Sequence, residues 1–520
     1  MSALDPLALA RGVIAVGFAG ATAETAPLDA LRAFGPGGVT VFGRNVGTTG
    51  ELRELVAALR ALGTPAPLIA IDQEGGRVAR IADGVTPVPA AMALGATNDP
   101  ALAATLGTLL GRDLARLGFS LDLAPVADLA LQPRSTVIAT RAYGDDPERV
   151  AAFVNGFAQG LERGGVAAAL KHFPGHGSTA EDSHVALPRV TADAATLRAR
   201  DLVPFAHAIA ARAASIVMTS HVVLDAFDPD RPATRSRAVL TDLLRGELGF
   251  DGVIATDDLE MDAISHSVGT VRGAVDALAA GADLLLISHH LDLADEAAHA
   301  IVAAVNDGTL PLARLQDAHA RVMALRTRFA APEPFAGALD QDAPLDAARR
   351  AVTVVRGEPR LRDGKPVTVI SFEGTAVDRA AASGARAAAA ESPSLSTALR
   401  RRGVKSEVMR VPLDPPADDV ELLLEHIPAL GDREFVVVTG DAHLHAAQQD
   451  AVAHILALAP GALIVSGRAP FDALLWPQAR RVVCIYGTQP LSLDGCADVL
   501  VGRAEPRGTL PVHLADAAVR

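Results

Sequence analysis

Cysteine, tyrosine and tryptophan are nearly absent from this 520-residue sequence, which has two Cys, two Tyr and one Trp. Cys484 and Cys496 cannot supply a disulfide framework, and so few thiols suit a reducing compartment. Long sugar-binding clefts often rest on aromatic platforms, so with so few such rings a polar ligand must be held by hydrogen bonds. Excess positive charge is missing too. The 61 acidic residues against 47 basic ones leave a net charge of −14, which argues against nucleic acid or an anionic membrane as the main partner. No apolar run approaches the roughly 18 residues of a membrane span. The start, Met1 to Gly20, carries Asp5 and no basic stretch ahead of an apolar one. It reads as a first strand, Val13–Phe18, and not as a signal peptide, so a cytoplasmic location is expected.

What is present is core-forming sequence: 50% of residues are hydrophobic and 21% charged, enough for about two to four domains of roughly 150 residues each. Short apolar runs recur at Val13–Phe18, Val39–Phe42, Leu68–Ile71, Phe119–Leu123, Val166–Leu170, Ile216–Thr219, Val253–Ala255 and Leu284–Ile287. Most lack polar alternation, as strands buried on both faces do. Helix starts at Asn98-Asp99-Pro100 and Asp146-Pro147-Glu148, and a stop near Gly164-Gly165, punctuate the intervals. About eight strand–helix units point to a TIM-type (β/α)8 barrel over residues 1–330. A doubly wound sheet would need a glycine-rich turn after the first strand, and none is there. A Pro- and acid-rich stretch then suggests a linker over 331–360. Runs at Val367–Phe372, Phe435–Thr439, Ala462–Ser466 and Val482–Tyr486, with helices at Val420–Ile427 and Ala446–Leu458, predict a smaller α/β sandwich domain over 361–520. The Ala-rich piece Ala380–Glu391 reads as a surface helix.

Polar residues collect just past the expected strand ends: Arg44-Asn45, Asp72, Asp122, Lys171-His172, Ser220-His221 and Asp257-Asp258. On a barrel they would face one another at its carboxyl end, where the active sites of this fold sit. The densest signal is Lys171-His172-Phe173-Pro174-Gly175-His176-Gly177, continuing to Asp182-Ser183-His184. Gly175 and Gly177 make it a bendable loop. In an extended backbone, Asp182 and His184, two apart, leave the same face, and a carboxylate beside an imidazole raises its pKa and frees one nitrogen to trade protons. Three histidines near acids also suit a metal, but the compact His-Glu-x-x-His pair is missing, so no metal and no cofactor is expected. Asp257, nearest its strand, is the better candidate for chemistry, with Asp258 suited to capping the following helix. Asp72-Gln73-Glu74-Gly75-Gly76-Arg77-Val78-Ala79-Arg80 and Ser135–Pro147, which contains Arg141, complete the set.

Together these segments resemble glycoside hydrolase family 3, in particular its bacterial β-N-acetylglucosaminidases of the peptidoglycan-recycling type. Val41-Phe42-Gly43-Arg44-Asn45 shares in the resemblance, which is strong over roughly residues 10–330 and weaker at Leu500–Val512. Ala139 departs from it, standing where the motif commonly has Gly. The resemblance implies that Asp257 is the nucleophile, His184 the acid/base with Asp182 as its dyad partner, and Asp72, Arg80, Arg141, Lys171 and His172 the sugar-binding set. It implies terminal, non-reducing β-linked N-acetylglucosamine as the group removed, from muropeptides or chito-oligosaccharides, with retention. A phosphorylase of the same architecture and a non-catalytic sugar-binding protein are the alternatives.

Overall fold

Each of the eight apolar runs becomes a strand in the computed structural model, which describes residues 5–179, 187–330, 339–374 and 393–514. They are β1 (Ile14–Val16), β2 (Gly38–Val41), β3 (Leu68–Ile71), β4 (Leu121–Asp122), β5 (Ala167–Phe173), β6 (Ile216–Thr219), β7 (Val253–Asp258) and β8 (Leu284–Ile287). Every strand pairs in parallel with its sequence neighbours, and β8 returns to β1 to close a TIM-type barrel. Alternation along each strand explains the unbroken apolar runs. Ala15, Leu68, Ala70, Leu121, Ala167, Ala169, Ile216 and Leu284 fill the interior, while Ile14, Val16, Ile69, Ile71, Leu170 and Val217 pack outward against helices. The interior leaves a void of only about 10 Å³, at the lower limit for a single water. Ligand chemistry is therefore confined to the rim. Val322, Leu325 and Phe329, on and just after the helix Leu312–Arg328, join the interior cluster. That helix closes the amino-terminal end, its Arg321 and Arg328 reaching Asp251 and Ser215, which precede β7 and β6.

The two expected helix starts are confirmed in detail. Asp99 caps Pro100–Leu117 by accepting from the backbone of Ala101 and Leu102, and Asp146 caps Pro147–Gly164 through Arg149 N. The second helix ends on Gly165 at φ 100°, a conformation side chains resist.

The second domain is a mixed sheet of six strands: β9 (Thr353–Arg356), β10 (Val367–Glu373), β11 (Ser406–Pro412), β12 (Glu434–Thr439), β13 (Leu463–Ser466) and β14 (Arg481–Cys484). Their order is β9-β14-β13-β12-β10-β11, with only β9 antiparallel to its neighbour. The four central strands are those the apolar runs predict. Both edges differ from expectation. β9 and the helix Asp342–Ala351 occupy much of the stretch read as a 331–360 linker. β11 has no apolar run because an edge strand tolerates charge, and Glu407 and Arg410 stand on it. The helix read at Ala380–Glu391 lies outside the described residues.

The two domains share an apolar seam: Met92, Ala93 and Ala96 of the helix Ala91–Thr97 pack into one cluster with Ile370, Val437 and Ile464. Hydrogen bonds fasten its margins. Asp99 accepts from Arg350 at 2.7 Å, Asp145 N donates to Pro511 O at 3.2 Å, and His443 Nε2 donates to Pro133 O at 2.9 Å. The second domain thus braces the loop that carries Arg141. Among the described residues no helix is long and apolar enough to cross a membrane.

Candidate active site

Strand β5 brings the cluster together. It runs to Phe173, so Lys171 and His172 stand at its carboxyl end, and both are buried. The Lys171 ammonium lies 2.7 Å from Asp72 Oδ1, just past β3, and 2.7 Å from Glu74 Oε1. Arg141, in the short turn Ala139–Arg141, grips Glu74 with both prongs of its fork: Nε donates to Oε2 at 2.9 Å and Nη2 to Oε1 at 2.7 Å. Arg80 stands 3.6 Å from Asp72 Oδ2. Asp72, Arg80, Arg141 and Lys171 are therefore joined, and Glu74 is the hub that the sequence reading left without a role.

Electrostatics follow from this arrangement. Burial would raise the Asp72 and Glu74 carboxyls, but Lys171 and Arg80 for the first, and Arg141 and Lys171 for the second, hold both below their ordinary values. Burial would lower Lys171, and the two carboxylates raise it instead. The cluster is a fixed set of charges with few free donors. One of the three Lys171 N–H groups has no partner among the described residues.

His172 is oriented by a residue the sequence reading also missed. Val126 bridges to Lys171 in parallel fashion, and this sets Asp128 beneath the imidazole. Asp128 Oδ2 accepts from His172 Nδ1 at 2.6 Å, which assigns the proton to Nδ1 and turns Nε2 toward Arg141, 3.4 Å away. Asp128 Oδ1 accepts from His176 N at 2.7 Å, so one carboxylate pins the start of the glycine-rich loop. His176 is buried against Thr179, and burial lowers its pKa despite the opposing carboxylates of Asp128 and, farther off, Asp257. Asp182 and His184 lie outside the described residues.

Asp257 sits near the end of β7, and its Oδ1 accepts from Asp258 N at 2.8 Å. A backbone donor stabilises the ionised carboxylate. Asp258 departs from the helix-capping role expected of it: it is the last residue of β7, it accepts from Glu260 N at 3.1 Å, and Met261 precedes the next helix. Burial raises the Asp258 carboxyl to about 7, helped by Glu260 and Asp257. Below that pH its neutrality spares Asp257 a second adjacent negative charge. His221 holds this strand end through Nε2 on the Asp258 carbonyl at 2.9 Å. Arg44 ties β1 to β8 through the Phe18 and Ser288 carbonyls.

Asp122 plays a supporting part. Wholly buried, it accepts from Gln73 N at 2.9 Å through Oδ1, while Oδ2 has no partner among the described residues. Burial pushes its pKa up to about 8, against the pull of the Gln73 N–H and Lys171. An acid whose folded pKa exceeds its unfolded value retains a proton that the unfolded chain has released. Its contribution to stability is complete below about pH 4 and is lost as pH rises through 8, at up to about 1.4 kcal/mol per unit. Asp122→Asn keeps the acceptor for Gln73 and removes this titration. Its stability relative to the parent should climb between pH 5 and pH 8 in urea titrations; parallel pH curves for the two proteins would assign the decline to other groups.

Among the described residues no group of three His, Cys, Asp or Glu side chains is placed to hold a metal ion.

The profile described as "Glycosyl hydrolase family 3 N terminal domain" matches residues 20–325. A β-hexosaminidase of Chromobacterium violaceum is 42% identical over 293 residues, which cover 55% of this chain and 81% of that protein. Among solved structures, a glycoside hydrolase family 3 β-N-acetylglucosaminidase from Paenibacillus superposes with a TM-score of 0.89 at 34% identity, over 98% of this chain and 99% of the other. NagZ from Neisseria gonorrhoeae, solved with N-trifluoroacetyl-D-glucosamine, matches 62% of this chain and 97% of its own at a TM-score of 0.51 and 32% identity.

Proposed function

Because the chain belongs to glycosyl hydrolase family 3 and is a β-hexosaminidase of it, we propose that it removes terminal, non-reducing β-linked N-acetylglucosamine from peptidoglycan-derived fragments, with retention and through a glycosyl ester on Asp257. The observation that carries this reading is the buried Lys171–Asp72–Glu74–Arg141 cluster on the barrel rim. It is a preorganised, charged grip for one polar sugar, on the rim that also bears Asp257.

In this mechanism the Asp257 carboxylate attacks C1 as the C1–O bond to the leaving group breaks. His184, protonated and backed by Asp182, gives its proton to the departing oxygen. It then takes a proton from the incoming water, which displaces Asp257 and frees the sugar. Retaining glycosidases ordinarily use two carboxyl groups about 5–5.5 Å apart for these roles. An imidazole suits the acid/base role because its ordinary pKa of about 6.5 lies near neutrality. Asp72 accepts from sugar hydroxyls, while Arg80, Arg141, Lys171 and His172 complete the pocket. The scarcity of Trp and Tyr fits a site that holds a single terminal residue. On this reading residues 1–330 form the catalytic domain.

His184→Ala should lower kcat/KM about 100-fold on a disaccharide and much less on an aryl glycoside whose leaving group needs no proton. Equal losses on both would remove the proton-donor role. A phosphorylase built on the same residues differs only in its acceptor, and product analysis with and without inorganic phosphate decides between water and phosphate.

A further inference from the structure

Asp257 stands where β7 leaves the regular ladder. Toward β8, Ala255 pairs with Leu284 but Asp258 with Leu286, so three steps along β7 match two along β8. The extra residue makes a bulge, a feature that re-aims the side chain it carries. Toward β6, the pairing runs from Val253 with Ile216 to Ala255 with Met218 and stops there. Among the described residues, Thr256 and Asp257 thus have no ladder partner on either side.

Two buried side chains supply what the ladder does not. Leu286 N, which in a regular parallel ladder donates to a carbonyl of its neighbour, donates instead to Thr256 Oγ1 at 3.0 Å. On the other side His221, three residues beyond Met218, donates from Nε2 to the Asp258 carbonyl at 2.9 Å. A carbonyl only accepts, so this nitrogen carries a proton. The far edge of the ring is held as well. Nδ1 lies 2.8 Å from Thr234 Oγ1, which donates to the Ser220 carbonyl at 2.9 Å and lies 2.8 Å from Thr219 Oγ1. Thr219, His221, Thr234 and Thr256 are all wholly buried. Bulk water does not reach these bonds, so the side chains alone maintain them. Asp258 also donates its N–H to Asp257 Oδ1 at 2.8 Å, so a tether on Asp258 fixes a donor to the carboxylate.

We propose that Thr256 and His221 are positioning residues that hold this bulge and so fix the aim of Asp257 at the anomeric carbon. The proposal rests on the glycosidase reading with Asp257 as nucleophile. The sugar grip lies on other elements: Asp72 follows β3, Lys171 lies near the end of β5, and Arg141 sits in the turn Ala139–Arg141. The approach of carboxylate to C1 is therefore set by two separate supports, the charged cluster for the sugar and the bulge for the nucleophile. Attack needs reacting atoms about 3–3.5 Å apart, and a misplacement of about 1 Å costs about 100-fold in rate. Loosening the bulge should slow the chemistry and spare the grip.

The test uses the full chain with an aryl N-acetylglucosaminide as substrate, free N-acetylglucosamine as inhibitor, and a 5-fluoro derivative of N-acetylglucosamine as a label for Asp257. Thr256→Val keeps the shape of the side chain and removes its acceptor. It should lower kcat/KM about tenfold or more and slow the labelling by a similar factor, while the inhibition constant of N-acetylglucosamine stays within about twofold. Thr256→Ser, which restores the hydroxyl, should recover most of the rate. His221→Leu should show the same split, and His221→Gln, whose amide keeps a donor, should recover part of it. Thr256→Val decides alone should His221→Leu not fold. An unchanged kcat/KM in Thr256→Val would overturn the proposal. So would equal losses in rate and in affinity for N-acetylglucosamine, which would make the bulge a packing feature of the whole rim. If the parent takes no label on Asp257, it is the nucleophile reading that falls.

Discussion

Asp257→Ala should reduce turnover of every N-acetylglucosaminide by about 10⁴-fold or more, with the fold intact. On the proposed mechanism no glycosyl ester forms without the carboxylate, and the site retains only its grip on the sugar. Asp257 is half-buried at the mouth of β7 and not among the buried apolar residues that fill the barrel interior, so its removal should leave stability nearly unchanged. A slowly released 5-fluoro derivative of N-acetylglucosamine supplies the positive control. It should add its mass to the parent protein on the peptide containing Asp257, and to neither Asp257→Ala nor Asp257→Asn. A label appearing on Asp258, or undiminished turnover by either variant, would assign the nucleophile elsewhere. Asp258 is the natural competitor in position, yet burial keeps it protonated up to about pH 7, and a neutral acid is a poor nucleophile.

The second large effect belongs to a residue outside the reaction itself. Glu74→Ala should cost about 3–5 kcal/mol of stability and lower kcat/KM about 100-fold or more. Glu74 takes two hydrogen bonds from Arg141 and a third contact from Lys171, with only 6% of its side chain exposed. Its loss leaves two buried cations sharing what remains of the negative charge on Asp72. Those cations repel one another, so Lys171 and Arg141 should swing away from the positions in which the proposed mechanism has them meet the sugar. Glu74→Gln separates charge from shape, because the amide keeps an acceptor but not the anion, and should fall between the parent and the alanine variant. Urea titrations and KM measurements check both halves. If Glu74→Ala kept the parent's KM, Arg141 and Lys171 would be positioned by something other than this carboxylate.

The core of the barrel was legible before any coordinates because it rests on local rules. A strand buried on both faces must be an unbroken apolar run, and an acid followed by a proline is a local signal for a helix start. The strands between Val13 and Ile287 obey the first rule, and the helices Pro100–Leu117 and Pro147–Gly164 carry the second signal. The strand-end residues were legible for the same reason, since a polar side chain that closes an apolar run has only the rim to occupy. Edge strands β9 and β11 were not, because an edge half open to water needs no apolar signature.

What the sequence by itself determined is which residues are candidates: Asp72, Arg80, Arg141, Lys171, His172 and Asp257 are each marked by their place after a strand or within a motif. Only the tertiary structure decided who partners whom. Lys171 meets Asp72 across 99 residues, Arg141 meets Glu74 across 67, and His172 meets Asp128 across 44. Glu74 and Asp128 look like any other acids in the chain. They become the hub and the hinge pin only when barrel closure removes them from water and sets them against cations. Local patterns encode burial and chain direction, but the pairing of charges depends on low-dielectric contact between distant segments, and that is a property of the assembled fold.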